Sequence, residues 1–129
     1  AAERGYGYRS TDSGETWESF RFPYSGSMFG LLEHQNCIVA FGLRGHIQRS
    51  CDFGDTWEVK QTDGEQTLMG GVAREDGRLA FVGAGATRWT LHPDGSMERD
   101  YDRLGNDYAA VVFDNGAMVL VGEDGVRYE

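Results

Sequence analysis

The sequence predicts an all-β chain of repeated four-stranded antiparallel units, and three observations predict it. First, one stretch occurs twice. Ser10-Thr11-Asp12-Ser13-Gly14-Glu15-Thr16-Trp17 returns forty residues later as Ser50-Cys51-Asp52-Phe53-Gly54-Asp55-Thr56-Trp57. The shared pattern is S-x-D-x-G-x-T-W, preceded each time by an arginine (Arg9, Arg49) and followed by a glutamate (Glu18, Glu58). Second, apolar runs of strand length recur in one order around loops whose glycines Gly42, Gly83 and Gly122 are 41 and 39 residues apart. Third, 19 Gly and only 2 Pro in a chain that is 40% hydrophobic suit short strands joined by glycine turns. A period of this length belongs to a propeller or a solenoid.

Each copy of the repeated stretch reads as a hairpin turn. The Asp carboxylate accepts hydrogen bonds from nearby backbone amides, as in Asx turns. The Gly two positions later supplies positive φ. Ser and Thr hydroxyls satisfy further loop groups, and Trp enters the next strand as an apolar anchor to a core.

The elements follow in order. Gly7-Tyr8-Arg9-Ser10 enters the first turn and Thr16 to Phe22 leaves it with strand alternation, until Pro23-Tyr24-Ser25-Gly26 starts a connection. A complete unit then reads Met28 to Leu32, a polar turn at Glu33 to Asn36, Cys37 to Phe41, the loop Gly42 to Gly45, His46 to Ser50, the second turn, and Trp57 to Lys60. Continuous apolar runs in its first two strands fit strands covered on both faces. The next unit repeats this order with Thr67 to Ala73, a turn at Glu75-Asp76-Gly77, Arg78 to Val82, the loop Gly83-Ala84-Gly85, and Thr87 to Leu91. Its last turn, His92-Pro93-Asp94-Gly95-Ser96, has lost the pattern, although an Asp-Gly turn still closes a hairpin. A partial unit ends the sequence: Tyr108 to Phe113, the turn Asp114-Asn115-Gly116, Ala117 to Val121, the loop Gly122 to Gly125, and Val126 to Tyr128. The expected organisation is one domain, 1–129, divided into a half unit 1–24, units 25–62 and 63–104, and a partial unit 105–129.

With 12 Lys and Arg against 21 Asp and Glu, the formal net charge is −9 and the pI is 4.7. That argues against nucleic acid or an anionic membrane surface as partner. No apolar run approaches a membrane span, so no insertion is expected. Cys37 and Cys51 make neither a disulfide framework nor a metal site. A hairpin would bring them nearly opposite each other, but a slip of one residue separates them onto opposite faces. The reading favoured here is two reduced thiols with Cys37 buried. His34, His46 and His92 lack metal-ligand spacing, and no phosphate loop, dinucleotide fingerprint or nucleophile elbow occurs, so neither metal nor cofactor is expected.

The repeated pattern resembles the Asp box, or BNR repeat. The resemblance implies a β-propeller in which the box joins the third and fourth strands of a blade, about three blades per chain. Sialidases, some xyloglucan-degrading hydrolases, sortilin-type receptors and photosystem II assembly factors share that architecture. Ser10, Asp12, Gly14, Thr16 and Trp17, with Ser50, Asp52, Gly54, Thr56 and Trp57, are then structural residues on the face away from the ligand-binding mouth. Recurrence supports this independently, since a catalytic acid has no reason to appear at each turn. Loops on the opposite face become the candidate binding surface, with Tyr24, Arg44, His46, Arg88, Tyr108, Glu123 and Asp124 as candidate residues. Arg44, Arg88 and Arg127 recur near the same loop of successive repeats, but the surrounding sialidase motifs are absent.

The form G-x-x-G-x-I-x-R-S-x-D-x-G-x-T-W from Gly42 to Trp57 is most similar to the photosystem II stability/assembly factor type. That type implies a non-catalytic scaffold for a protein partner, and an extracytoplasmic or secreted location. The alternative is a carbohydrate-active propeller, either a hydrolase fragment or a glycan-binding module. Propellers have 4–8 blades, so about three must be a partial ring. Either they belong to a longer propeller, or two copies form a homodimer that closes a ring of about six blades.

Overall fold

The structure is a computed structural model that describes residues 3–101 and 105–129. The expected boundary between residues 104 and 105 falls beside residues 102–104, outside the described residues. Among the described residues thirteen strands form four antiparallel sheets, and no α-helix occurs. β1 (Tyr6–Arg9) and β2 (Glu18–Arg21) form a two-stranded sheet. β3 (Met28–His34), β4 (Cys37–Gly42), β5 (His46–Ser50) and β6 (Glu58–Gln61) form the next, in chain order. β7 (Leu68–Ala73), β8 (Leu79–Gly83), β9 (Thr87–Leu91) and β10 (Met97–Tyr101) repeat it. β11 (Tyr108–Asp114), β12 (Ala117–Gly122) and β13 (Gly125–Tyr128) make the last. These are blades of a β-propeller, all-β and antiparallel as the sequence predicts.

The continuous apolar strands are explained by burial on two sides. Side chains of a strand alternate between its faces, and here each face meets a different blade. On β4, Val39 and Phe41 join Leu68, Leu79, Phe81 and Trp89 of the next blade, while Ala40 turns the other way to Phe22 and Met28. On β8, Leu79 and Phe81 face back toward β4, and Val82 faces Tyr108, Val111 and Leu120. Phe41 and Phe81 meet edge to face at 5.4 Å. β7 is packed against β3 on one side and β11 on the other.

The loop glycines have a spatial rather than a conformational cause. In each of three blades the first strand carries a β-bulge, at Met28/Gly30, Leu68/Gly70 and Tyr108/Ala110. Beside it, the amides of Leu43, Ala84 and Glu123 donate at 3.0 Å to the carbonyls of Ser27, Thr67 and Asp107. A Cβ on Gly42, Gly83 or Gly122 would collide with those same carbonyl oxygens. The period in the sequence is therefore the record of one backbone crossing made three times.

The expectation of two reduced thiols is corrected: Cys37 and Cys51 form a disulfide. The register pairs Ile38 with Ser50, so the residues one step beyond that pair stand across from each other. The bond joins the β3–β4 hairpin end to the turn after β5. Cross-linking across a separation of 14 residues restricts the unfolded chain and stabilises by about 3 kcal/mol. Replacing both cysteines by serine is expected to lower the unfolding free energy by that amount in a denaturant titration; an unchanged midpoint would show that the bond carries no stability.

Candidate functional site

Two faces are distinguished by their connections. One carries the repeated turns and the β3–β4, β7–β8 and β11–β12 hairpins. The other carries the loops from second to third strand and the blade-to-blade connections.

On the turn face the two repeated turns are built alike. Asp12 Oδ1 accepts from Ser10 Oγ (2.7 Å) and the Thr16 amide (2.9 Å), and Oδ2 from Thr16 Oγ1 (2.5 Å). Asp52 does the same with Ser50 Oγ at 2.8 Å, the Thr56 amide at 2.9 Å and Thr56 Oγ1 at 2.5 Å. Two consecutive residues are left-handed in each turn, Ser13 and Gly14, then Phe53 and Gly54, where the sequence reading assigned only the glycines. The Thr side chain first, then its amide and the Ser hydroxyl, hold each Asp carboxyl down to about 2. Each of these acids accepts three hydrogen bonds from inside its own turn.

The tryptophans part company. Both indole N–H groups donate to the turn glycine carbonyl, Gly14 or Gly54. Trp57 then packs against Phe20 and Phe22, with ring centroids 5.9 and 4.7 Å apart. Trp17 is 63% exposed, so the expectation that it anchors to a core is corrected. Phe20 and Phe22 cover Trp57, and no such ring contact to Trp17 occurs among the described residues.

On the loop face the candidate residues fall into three settings. Tyr24 and His46 stack at 3.4 Å, nearly parallel. Burial, and then the charge of Arg44, push the His46 imidazole down from its ordinary value, toward the neutral form. Arg44 itself is exposed, in a turn Leu43–Gly45 where it takes positive φ. A matching turn occupies Glu3–Gly5, with Arg4 at positive φ; Gly5 and Gly45 accept from the Phe22 and Thr62 amides respectively. The repeat thus reaches back to Arg4-Gly5, which matches Arg44-Gly45.

Arg88 and Tyr108, both candidate binding residues, are engaged with each other and with the last blade. Tyr108 is buried at 4% exposure, and its hydroxyl accepts from Arg88 (3.1 Å) and Arg127 (3.2 Å). Arg88 grips Glu129 with both terminal nitrogens at 2.6 and 3.0 Å, and Arg127 joins the same carboxylate at 2.9 Å. Hydrogen bonding to Glu129 raises the Arg88 pKa further above its ordinary value. These arginines clasp two blades together. Arg44 belongs to a different blade and takes no part, so the recurrent arginines do not form one cluster.

Asp124 accepts from Asn106 at 2.5 Å, and Glu123 is exposed at the edge of a groove of about 450 Å³ lined by Met69, Ala84, Asp107, Ala109 and Gly122. The sequence reading missed two features here. Asp107 ties the groove together, accepting from the Gly85 amide through its carboxylate at 2.6 Å and from the Glu123 amide through its carbonyl. The bulges also leave Phe29 (48%) and Met69 (43%) exposed at corresponding positions of adjacent blades. Among the described residues no group of His, Cys, Asp and Glu could hold a metal ion, and no helix is long and apolar enough to cross a membrane.

No known family model matches the sequence, and no curated protein matches it. Among solved structures, a chain described as YCF48 bound to D1 peptide matches with a TM-score of 0.68 at 16% identity. The match covers 95% of this chain and 42% of that one, so this chain spans less than half of that propeller's length. At such identity the likeness is one of fold, and it defines the class: a segment of a β-propeller.

Replacing Asp52 by Ala is expected to lower the melting temperature by several degrees, and more than Asp12→Ala does, because only Trp57 is packed against a neighbour. The sign with pH follows from a carboxyl held below its ordinary 3.8, at about 2. Its share of stability is present above about pH 4 and disappears as pH falls through 2. Thermal melts between pH 5 and 2 should show a shallower acid slope in Asp52→Ala; equal slopes would remove the turn from the stability account.

Proposed function

We propose that this segment is a non-catalytic interaction module that binds a protein partner through the loop face, in a propeller of the Asp-box, photosystem II assembly-factor type. The observation that carries the reading is the loop groove, where bulged Met69 offers an apolar contact beside the exposed carboxylate of Glu123. Exposed apolar side chains rimmed by polar groups are characteristic of protein interaction sites. The ionisable groups that could suggest an enzyme are engaged elsewhere: Asp12 and Asp52 in their turns, Arg88 and Arg127 on Glu129. The similar fold of YCF48, described with a bound peptide, supports the same reading. The internal bonding of Ser, Asp and Thr supports the Asp-box assignment, and the order of strands in the sheets supports the division into a half blade 1–24, blades 25–62 and 63–104, and a partial blade 105–129. The disulfide suits the extracytoplasmic or secreted location.

Selection of peptides by display on this chain tests the reading. A selected peptide is expected to lose at least about tenfold in affinity (about 1.4 kcal/mol) on Met69→Lys and to bind Asp52→Ala as it binds the parent. Loss of binding in Asp52→Ala at unchanged melting temperature would return the turns to the site. Specific signals on a glycan array, or turnover in a hydrolase panel above a Met69→Lys control, would replace this reading by the carbohydrate-active one.

Ring completion is a separate part of the proposal. One flank exposes Val112, Val121, Val126 and Tyr128 on the last blade, and the other opens an apolar cleft of about 270 Å³ at Trp17, Leu31, Phe53 and Trp57. Both suit covering by further blades, either within a longer propeller or from a second copy. In a shared ring, β1 of the second copy needs the place beside β12 that β13 holds through Val119↔Tyr128 to Gly122↔Gly125, so that arrangement requires β13 to give way. Light scattering is expected to find a dimer if two copies share the ring, and a stable, folded monomer at micromolar concentration would rule sharing out.

A further inference from the structure

The two arginines that precede the repeated turns occupy equivalent positions and have different fates. Arg9, at the end of β1, reaches into the neighbouring blade's turn. Its Nη1 donates to the Phe53 carbonyl at 3.0 Å and to Asp55 Oδ1 at 2.5 Å, while Nε holds Glu18 at 3.3 Å. Arg49, forty residues on and at the same place in β5, lines a cavity together with residues 92–95 of the next blade's turn. That turn is the one that has lost the pattern. Residues 92–96 span β9 to β10, where residues 51–57 span β5 to β6. No hydrogen bond joins Arg49 to the shorter turn among the described residues, and its Nε, whose counterpart in Arg9 holds Glu18, is shielded from solvent and has no hydrogen-bond partner.

Where the missing contacts would lie there is a cavity of about 200 Å³ between the two blades, lined by Arg49, Lys60, His34, His92, Asp94 and Glu58 among others. The other charges in it are engaged. Lys60 pairs with Glu58 at 3.0 Å, Asp94 accepts from the Ser96 amide and hydroxyl at 2.9 and 2.6 Å, and His92 lies 3.3 Å from Glu98. Among the described residues Arg49 acts on Glu58 through its charge, but its Nε has no hydrogen-bond partner. Leaving a buried guanidinium N–H unpaired costs stability that a carboxylate would restore, and planar N–H groups favour that acceptor.

We propose that this cavity, on the turn face and away from the loop groove, is a second binding site that takes an acidic peptide segment. The chain itself displays the complement: Arg9 receives a backbone carbonyl and, two residues later, an aspartate. A partner peptide with the same carbonyl-x-aspartate arrangement supplies to Arg49 what residues 92–96 do not. The site does not depend on the loop-face reading, and the test below uses a different ligand and a different face.

The probe is acetyl-Phe-Gly-Asp-Thr-amide, the sequence of the turn that Arg9 grips, titrated into the uniformly 15N-labelled 129-residue chain. The expected result is a saturable shift of the Arg49 Nε–H signal and of the His92 ring. Acetyl-Phe-Gly-Ala-Thr-amide should bind at least about tenfold more weakly, as charge-assisted bonds to arginine require the carboxylate, and Arg49→Gln should weaken the aspartyl peptide equally. An Arg49 signal unmoved at millimolar peptide overturns the proposal, as does equal binding of the Asp and Ala peptides, a comparison made on the unaltered chain and so independent of how the variant folds. Acetate producing the same shifts at the same concentrations also overturns it, by showing a site for free carboxylate rather than for peptide.

Discussion

Every blade here depends on being covered from both sides. β4 and β8 have almost no exposed residue, because alternate side chains enter the cores of two different neighbours. A sheet so built cannot be stable alone, and the order of stability follows position. The β7–β10 blade, held between two others, contributes the fully buried Phe81, Leu68 and Val82. The outer sheets keep one face open, where Val112, Val121, Val126, Trp17 and Tyr128 are exposed. Fully burying an aromatic or aliphatic side chain is worth about 1.5–3 kcal/mol, so losing a neighbour removes several such contributions at once.

The same constraint shapes the candidate binding face. For blades to lie close, the second-to-third strand loop crosses the entrance of the first strand, with amide to carbonyl and glycine where any side chain would collide. The first strand accommodates the crossing with a bulge, which breaks its alternation. Met28, Leu68 and Tyr108 go inward, and Phe29 and Met69 are left at the surface. Apolar groups at the mouth are thus a consequence of how the blades are closed, and the chain sets them beside acidic loop residues.

Local and distant interactions divide cleanly in the repeated turns. Asp12 and Asp52 make the same bonds to the same partners, because everything they need lies within a few residues. The flanking Arg9 and Arg49, and Trp17 and Trp57, have sequence environments just as similar, yet their outcomes differ. Each looks to the adjacent blade for its partner, and the adjacent blades are not alike.

What the sequence determined by itself was therefore whatever is local or periodic. The strand order, the turn chemistry of Ser, Asp, Gly and Thr, and the spacing of the loop glycines were readable because each repeats and each acts within a hairpin. Only the tertiary structure decided the pairing of Cys37 with Cys51, since a one-residue difference in register would have separated them. It also decided that Arg88 joins Tyr108 and Glu129 across two blades, that Trp17 is exposed while Trp57 is packed, and that Arg49 lines a cavity. The cystine joins residues 14 apart within one blade, and the other outcomes rest on contacts made or left unmade by the shape of the neighbouring blade.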